Sequence, residues 1–156
     1  MFDAPVDTWY LAVGVALAGV AFAGVAADLP TRAPPDAAGA AATIDAVAAS
    51  ERPGTAEHPV DAPEIKLGPH RVALRNGGGT ASETFAYGPV TPVTDGGPLA
   101  TVLRGRDPVR VFPSPDALRR AAAAARERDP EWRRADGRIV VRTITWEGTR
   151  VTLVDA

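Results

Sequence analysis

Residues 138–154 read RIVVRTITWEGTRVTLV, and the fold turns on them. Two runs rich in Val, Ile and Thr flank Glu147-Gly148, a two-residue connection of the kind antiparallel hairpins use. Asn or Asp would suit the first turn position better than Glu147. A hairpin of 138–146 with 149–154 sets Trp146 opposite Thr149, Ile144 opposite Val151 and Arg142 opposite Leu153. Because side chains alternate along a strand, that register gathers Val140, Ile144, Trp146, Val151 and Leu153 on one face, the expected main contribution of the sheet to the core.

The nearest upstream signal is helical. Ser114 is a good N-cap, Pro115 suits the first helical position and Asp116 suits the first turn. That helix is expected to run to about residue 128, before Asp129-Pro130. Leu118, Ala121, Ala122 and Ala125 then face the sheet, while Arg119, Arg120, Arg126 and Arg128 reach outward as a possible basic contact face. Residues 99–103 predict a short helix, and 109–112, fenced by Pro108 and Pro113, an extended piece.

Further upstream, 64–67 and 71–75 read as short strands with Gly68-Pro69 as a turn between them. Asn76-Gly-Gly-Gly79 is a reversal signal and 80–87 the returning strand. In that pairing Val72 and Leu74 share one face, and Phe85 and Tyr87 share a face of the partner. Residues 55–63, polar with two prolines, predict an irregular loop. Asp36 caps a helix through about residue 50 with a stripe of Ala40, Ala41, Ile44, Val47 and Ala48. The sum is an α+β domain over 36–156: one antiparallel sheet built from two hairpins, with two or three helices on one side.

Ahead of the domain stand nineteen uncharged residues, 9–27, WYLAVGVALAGVAFAGVAA. At about 1.5 Å rise per residue they reach about 28 Å, close to the hydrocarbon thickness of a bilayer. Asp7 and Asp28 bracket the run, and Trp9 and Tyr10 sit where interfacial aromatics belong. A transmembrane helix is therefore expected, between a tail of 1–8 and a proline-rich linker of 28–35. Gly14, Ala18, Gly19 and Ala23 form small-residue pairs that fit close packing against another membrane helix. A cleaved secretory signal is the rival. Residues 1–8 carry no Lys or Arg, and the apolar run exceeds the roughly 7–15 residues of a signal's central region. The basic-residue rule mildly favours the C-terminal side inside, through Arg32 alone.

Composition excludes whole classes of chemistry. There is no cysteine, hence no disulfide, thiol nucleophile or thiolate-bound metal. His58 and His70 are the only histidines, and their spacing matches no usual metal-ligand pattern. Asn76–Gly79 lacks the Lys-Ser/Thr pair and helix context of a phosphate loop. Ser50, Ser82 and Ser114 lack a nucleophile-elbow setting. From residue 28 to 99 there are nine acidic and five basic side chains; from 100 onward, eight and twelve. The basic half is expected to be a solvated helix face, with too few interleaved aromatics for a nucleic-acid partner. No cofactor, metal or catalytic residue is expected.

Whole phrases of the chain, Asp3-Ala-Pro-Val-Asp-Thr-Trp-Tyr10, Leu29-Pro-Thr, Pro34-Pro-Asp-Ala-Ala, Thr55-Ala-Glu-His-Pro59, Leu67-Gly-Pro-His-Arg71 and Thr84-Phe-Ala-Tyr-Gly-Pro-Val90, are similar to those of an uncharacterised family of haloarchaeal single-pass membrane proteins. Members tend to be encoded near parts of a type IV pilus-like or tight-adherence-type secretion system. The resemblance implies a role in assembling or anchoring a surface filament, with no catalytic residues to carry over. Residues 1–8 depart from a prepilin leader, which is basic and ends in a cleavage site. The function expected is thus a non-enzymatic, membrane-anchored accessory protein acting through protein contacts with other membrane or surface-assembly proteins. The alternative is an anchored enzyme or ligand sensor with a pocket beside Gly77–Gly79 and the loop 88–98.

Overall fold

The computed structural model describes residues 6–27, 32–94 and 96–156, with side chains of the first helix described at 9, 10 and 12–20. The chain divides into two compact units, Met1–Arg32 and Ala33–Ala156. The first contains helix α1, Val6–Ala27, 22 residues long. It starts three residues before the expected span. Among the described residues no helix is long and apolar enough to cross a membrane. The span read from sequence draws on Leu11 and on residues 21–27, whose side chains lie outside the described ones, as do most of the tail 1–8 and residues 28–31 of the linker. Pro35, assigned to that linker, is buried in the second unit.

The second unit is α+β, with two four-stranded sheets where the sequence predicted one. Its helices are α2 (Ala37–Ala49), α3 (Pro98–Leu103) and α4 (Pro115–Arg126). Its strands are β1 (Gly54–Pro59), β2 (Glu64–Leu67), β3 (Arg71–Asn76), β4 (Gly79–Thr84), β5 (Thr91–Pro92), β6 (Trp132–Arg134), β7 (Arg138–Trp146) and β8 (Thr149–Asp155). The first sheet has the order β1-β7-β8-β5 and the second β4-β3-β2-β6.

The β7–β8 hairpin keeps the predicted register, with Trp146 opposite Thr149, Ile144 opposite Val151 and Arg142 opposite Leu153. Glu147 and Gly148 both have positive φ, 45° and 79°, the backbone a two-residue turn of this twist requires. The predicted face packs with α3 and α4 in one core cluster around Leu118, Phe112 and Leu153. The helices do not all lie on one side, however. Ile139, Val141 and Val154, on the opposite face, join α2 and the inner face of the second sheet in another cluster. A hairpin covered on both faces needs apolar or paired residues at every position, which is why this run is almost continuously β-branched. Its one buried polar pair is internally satisfied. Thr143 Oγ1 and Thr152 Oγ1 are 2.8 Å apart, and Thr143 donates to Val47 O at 3.2 Å.

Helix α2 begins at the predicted cap, where the Asp36 carboxylate accepts from Gly39 N–H at 2.8 Å. It buries Ala37, Ala40, Ala41 and Ile44 against both sheets. Helix α4 begins at Ser114, whose hydroxyl accepts from Ala117 N–H, and buries Leu118, Ala122 and Ala125.

Three local expectations also fail. Residues 54–59 form β1, an edge strand on β7, in place of a loop. Its own pattern is polar because its edge position asks for no buried face, and Pro59 closes it. Residues 108–110 form a 3-10 turn in place of an extended piece, because the Asp107 carboxylate accepts from Val109 N–H at 3.1 Å with Pro108 in the first position. Strand β4 ends at Thr84, so Phe85 is buried while Tyr87 is 58% exposed and does not share its face.

Candidate functional site

The arginines singled out on α4 do not form one surface. Arg119 pairs with Asp116 one turn earlier on the helix, and Arg120 is exposed. Arg126 instead folds inward, its Nε 3.0 Å from Thr91 Oγ1, and burial lowers the pKa of its guanidinium. Arg128, beyond the helix end, donates to Thr94 Oγ1 at 3.2 Å. These two hold β5 and the segment after it against α4.

Other arginines of the basic half are spent in the same way. Arg142 donates to Val102 O at 2.7 Å and Arg150 to Ala48 O at 2.8 Å and Ser50 O, covering the carbonyl ends of α3 and α2. Cations at helix C-termini meet both the open carbonyls and the dipole. Arg133 reaches from β6 to Asp155 at 3.1 Å and to Val93 O, tying the two sheets together. Five of the twelve basic residues after residue 100 thus stitch the domain together.

The histidines lie apart from any shared chemistry. His58 Nδ1 is 3.1 Å from Thr43 Oγ1, which itself donates to Gly39 O at 3.0 Å. This contact links β1 to α2. His70 is exposed and lies close to Gly88, where a Cβ would come within 3.1 Å of its Nδ1 and 3.3 Å of Pro69 O. Among the described residues no three His, Asp or Glu side chains group so as to hold a metal ion. Asn76–Gly79 is a tight hairpin turn in which Asn76 Oδ1 accepts from Gly78 N–H at 2.8 Å.

A cleft of about 620 Å³ opens between β1–β7 and the end of α3, and neither histidine lines it. Several of its charges are partnered. Arg138 lies 3.9 Å from Glu57, Asp155 is held by Arg133, and Arg142 is held by Val102 O. The Asp136 carboxylate and the Thr55 hydroxyl also line it.

The surface that sequence reasoning missed is the outer face of the second sheet. Register places Lys66 beside Ala73 and Trp132, and Glu64 beside Arg75 and Arg134. Arg71, Ala73 and Arg75 alternate with the buried Val72 and Leu74, so four cations, Lys66, Arg71, Arg75 and Arg134, share one face with Glu64 as the one strand carboxylate. The Arg75 guanidinium lies 4.0 Å from the Trp132 ring centroid and 3.4 Å from Glu64. A shallow hollow of about 250 Å³ is walled by Lys66, Arg71, Pro130 and Trp132 over Ala73. Alternation within EIKL and RVALRN carried this signal, but only the pairing with β6 brings Trp132 and Arg134 to it.

In α1, Gly14, Ala18 and Gly19 are exposed and nothing lies within 4 Å of a Cβ built on either glycine. The Ala23 side chain lies outside the described residues.

The fold defines a small two-sheet α+β domain that follows an N-terminal helix. The chain belongs to DUF7283, a family of unknown function whose model matches residues 3–144. No curated protein and no solved structure matches it.

Proposed function

We propose that the protein is a non-enzymatic, single-pass membrane-anchored accessory component of a cell-surface assembly, pilus-like or secretory, acting through protein contacts of its α+β domain. The observation that carries the anchor is α1. Trp9, Tyr10, Val15, Leu17 and Val20 are each 66–72% exposed, around a helix that presents no charged face between residues 9 and 20. A helix apolar all round is unstable against water and stable in hydrocarbon. The uncharged run 9–27, at helical rise, reaches about 28 Å, close to a hydrocarbon core about 30 Å thick. Gly14, Ala18, Gly19 and Ala23 suit close approach of a second membrane helix.

Two observations support a contact module in preference to an enzyme or sensor: in the cleft of about 620 Å³ Glu57, Arg138, Arg142 and Asp155 are each held by a partner, and the histidines stand outside it. The assembly itself is supported by the phrase-level resemblance to haloarchaeal membrane proteins encoded beside filament and secretion genes. Quantitative co-purification of the tagged full chain from solubilised native membranes tests it. Enrichment of filament or secretion components over a mock purification is expected; recovery of the bait from membranes with none of them refutes the assembly role.

A further inference from the structure

The two sheets end in four edge strands, and three of these are blunted. β1 ends in Pro59, β5 is two residues long and contains Pro92, and β6 is three residues long just after Pro130. Short or proline-bearing edges are how proteins keep foreign strands from adding. β4, Gly79–Thr84, has none of these devices: six residues with no proline or lysine, all but Ala81 exposed.

Its open hydrogen-bonding groups can be assigned. Phe85 N–H donates to His70 O at 2.8 Å, so the pairs that exchange bonds with β3 follow that parity: 72 with 83, 74 with 81, 76 with 79. Thr80, Ser82 and Thr84 therefore turn their N–H and C=O groups away from β3, toward the free edge. Their side chains stand on the outer face, where Arg71 reaches across to Ser82, its Nη2 3.1 Å from Ser82 Oγ. A strand added about 4.8 Å beyond β4 lies within reach of that guanidinium. On this face Glu64 is taken by Arg75, whereas no carboxylate pairs with Lys66, Arg71 or Arg134 among the described residues.

We propose that β4 is a docking edge for an extended partner segment with acidic side chains at alternate positions, which adds as a fifth strand and sets a carboxylate against the Arg71 guanidinium where it reaches Ser82. The other side of the added strand runs beside Ala81 and Glu83, so the intervening residues are uncharged or apolar. Charge selects this occupant over a second copy of the chain. A copied β4 offers only hydroxyls to the cations and brings Glu83 onto the same face as its counterpart. The proposal rests on reading the domain as a protein-contact module and is independent of the anchor.

The test uses the purified full chain in zwitterionic micelles and two probes, acetyl-Val-Glu-Val-Glu-Val-Glu-amide and its lysine counterpart. The acidic probe is expected to bind saturably, to slow amide exchange at Thr80, Ser82 and Thr84, and to lose affinity in salt. Ser82→Pro removes an outward N–H while sparing the β3–β4 bonds, and is expected to weaken binding about tenfold or more. Arg71→Glu is expected to weaken it comparably, with no change in edge geometry, and covers the case in which Ser82→Pro fails to fold. Equal binding of both probes, no saturable binding of the acidic one, or unchanged affinity in the folded variants would overturn the proposal. So would a dimer of the unliganded chain that Ser82→Pro dissociates. None of these results bears on whether α1 inserts in a membrane.

Discussion

Replacing Asp45 tests how the segment after β4 is fastened to α2. The Asp45 carboxylate accepts from Ala86 N–H at 3.0 Å and from Tyr87 N–H at 2.9 Å, immediately after Phe85 enters the core. Hydrogen bonds to an ionised acceptor contribute about 1.5–3 kcal/mol each where water is excluded. Ala86 and Tyr87 are exposed, so water re-solvates their amides after truncation, and about 1 kcal/mol per bond is the better figure. Against the loss of about 2 kcal/mol stands a gain of about 0.6, because Ala is the better helix former in the middle of α2. Asp45→Ala is therefore expected to cost about 1–1.5 kcal/mol. Asp45→Asn is expected to cost at least as much, since its amide points a donor at one of two donors. Urea denaturation of the full chain in micelles reads this as a lower midpoint at unchanged slope, and amide exchange at Ala86 and Tyr87 should quicken. An Asp45→Ala variant as stable as the wild type would show that the helix does not hold this segment.

Other expectations follow from single contacts. Glu147→Asn puts a residue that tolerates positive φ at a position with φ 45°, and should raise stability by about 0.5–1 kcal/mol in thermal melts. Thr143→Val leaves Val47 O and Thr152 Oγ1 without their partner in a buried site; a cost of about 1–3 kcal/mol is expected. The T143V/T152V pair should cost less than the sum of its singles, measured as a double-mutant cycle. Arg119→Ala removes an exposed pair and should shift stability by less than about 0.5 kcal/mol. Arg126→Ala removes a part-buried stem and its bond to Thr91, and should cost about 1 kcal/mol, separating structural from surface arginines in the same melts.

Local signals were readable where one short stretch contains its own physics. The β7–β8 register needed only Glu147-Gly148 and the flanking alternation, and the caps at Asp36 and Ser114 needed only a polar side chain before an apolar helix. What escaped the sequence depends on a partner. β1 becomes a strand because β7 offers it an edge, not because GTAEHP alternates. The second sheet exists because residues 132–134, distant in sequence, pair with β2. For the same reason the basic surface was sought on α4, where spacing suggested it, while Arg126, Arg128, Arg133, Arg142 and Arg150 were consumed by distant carbonyls, hydroxyls and one carboxylate. Lys66, Arg71, Arg75 and Arg134 meet on one face across β2, β3 and β6, and no one-dimensional pattern brings these together.

Membrane attachment is tested most directly by alkaline carbonate extraction of cell membranes containing the full chain, alongside a Val15→Lys, Leu17→Lys variant. Each central lysine costs about 2.5–3.5 kcal/mol in a membrane helix. If α1 anchors the domain, the wild type stays in the membrane pellet after extraction and the double-lysine variant is released or lost from it. Complete release of the wild type into the soluble fraction would contradict the anchor.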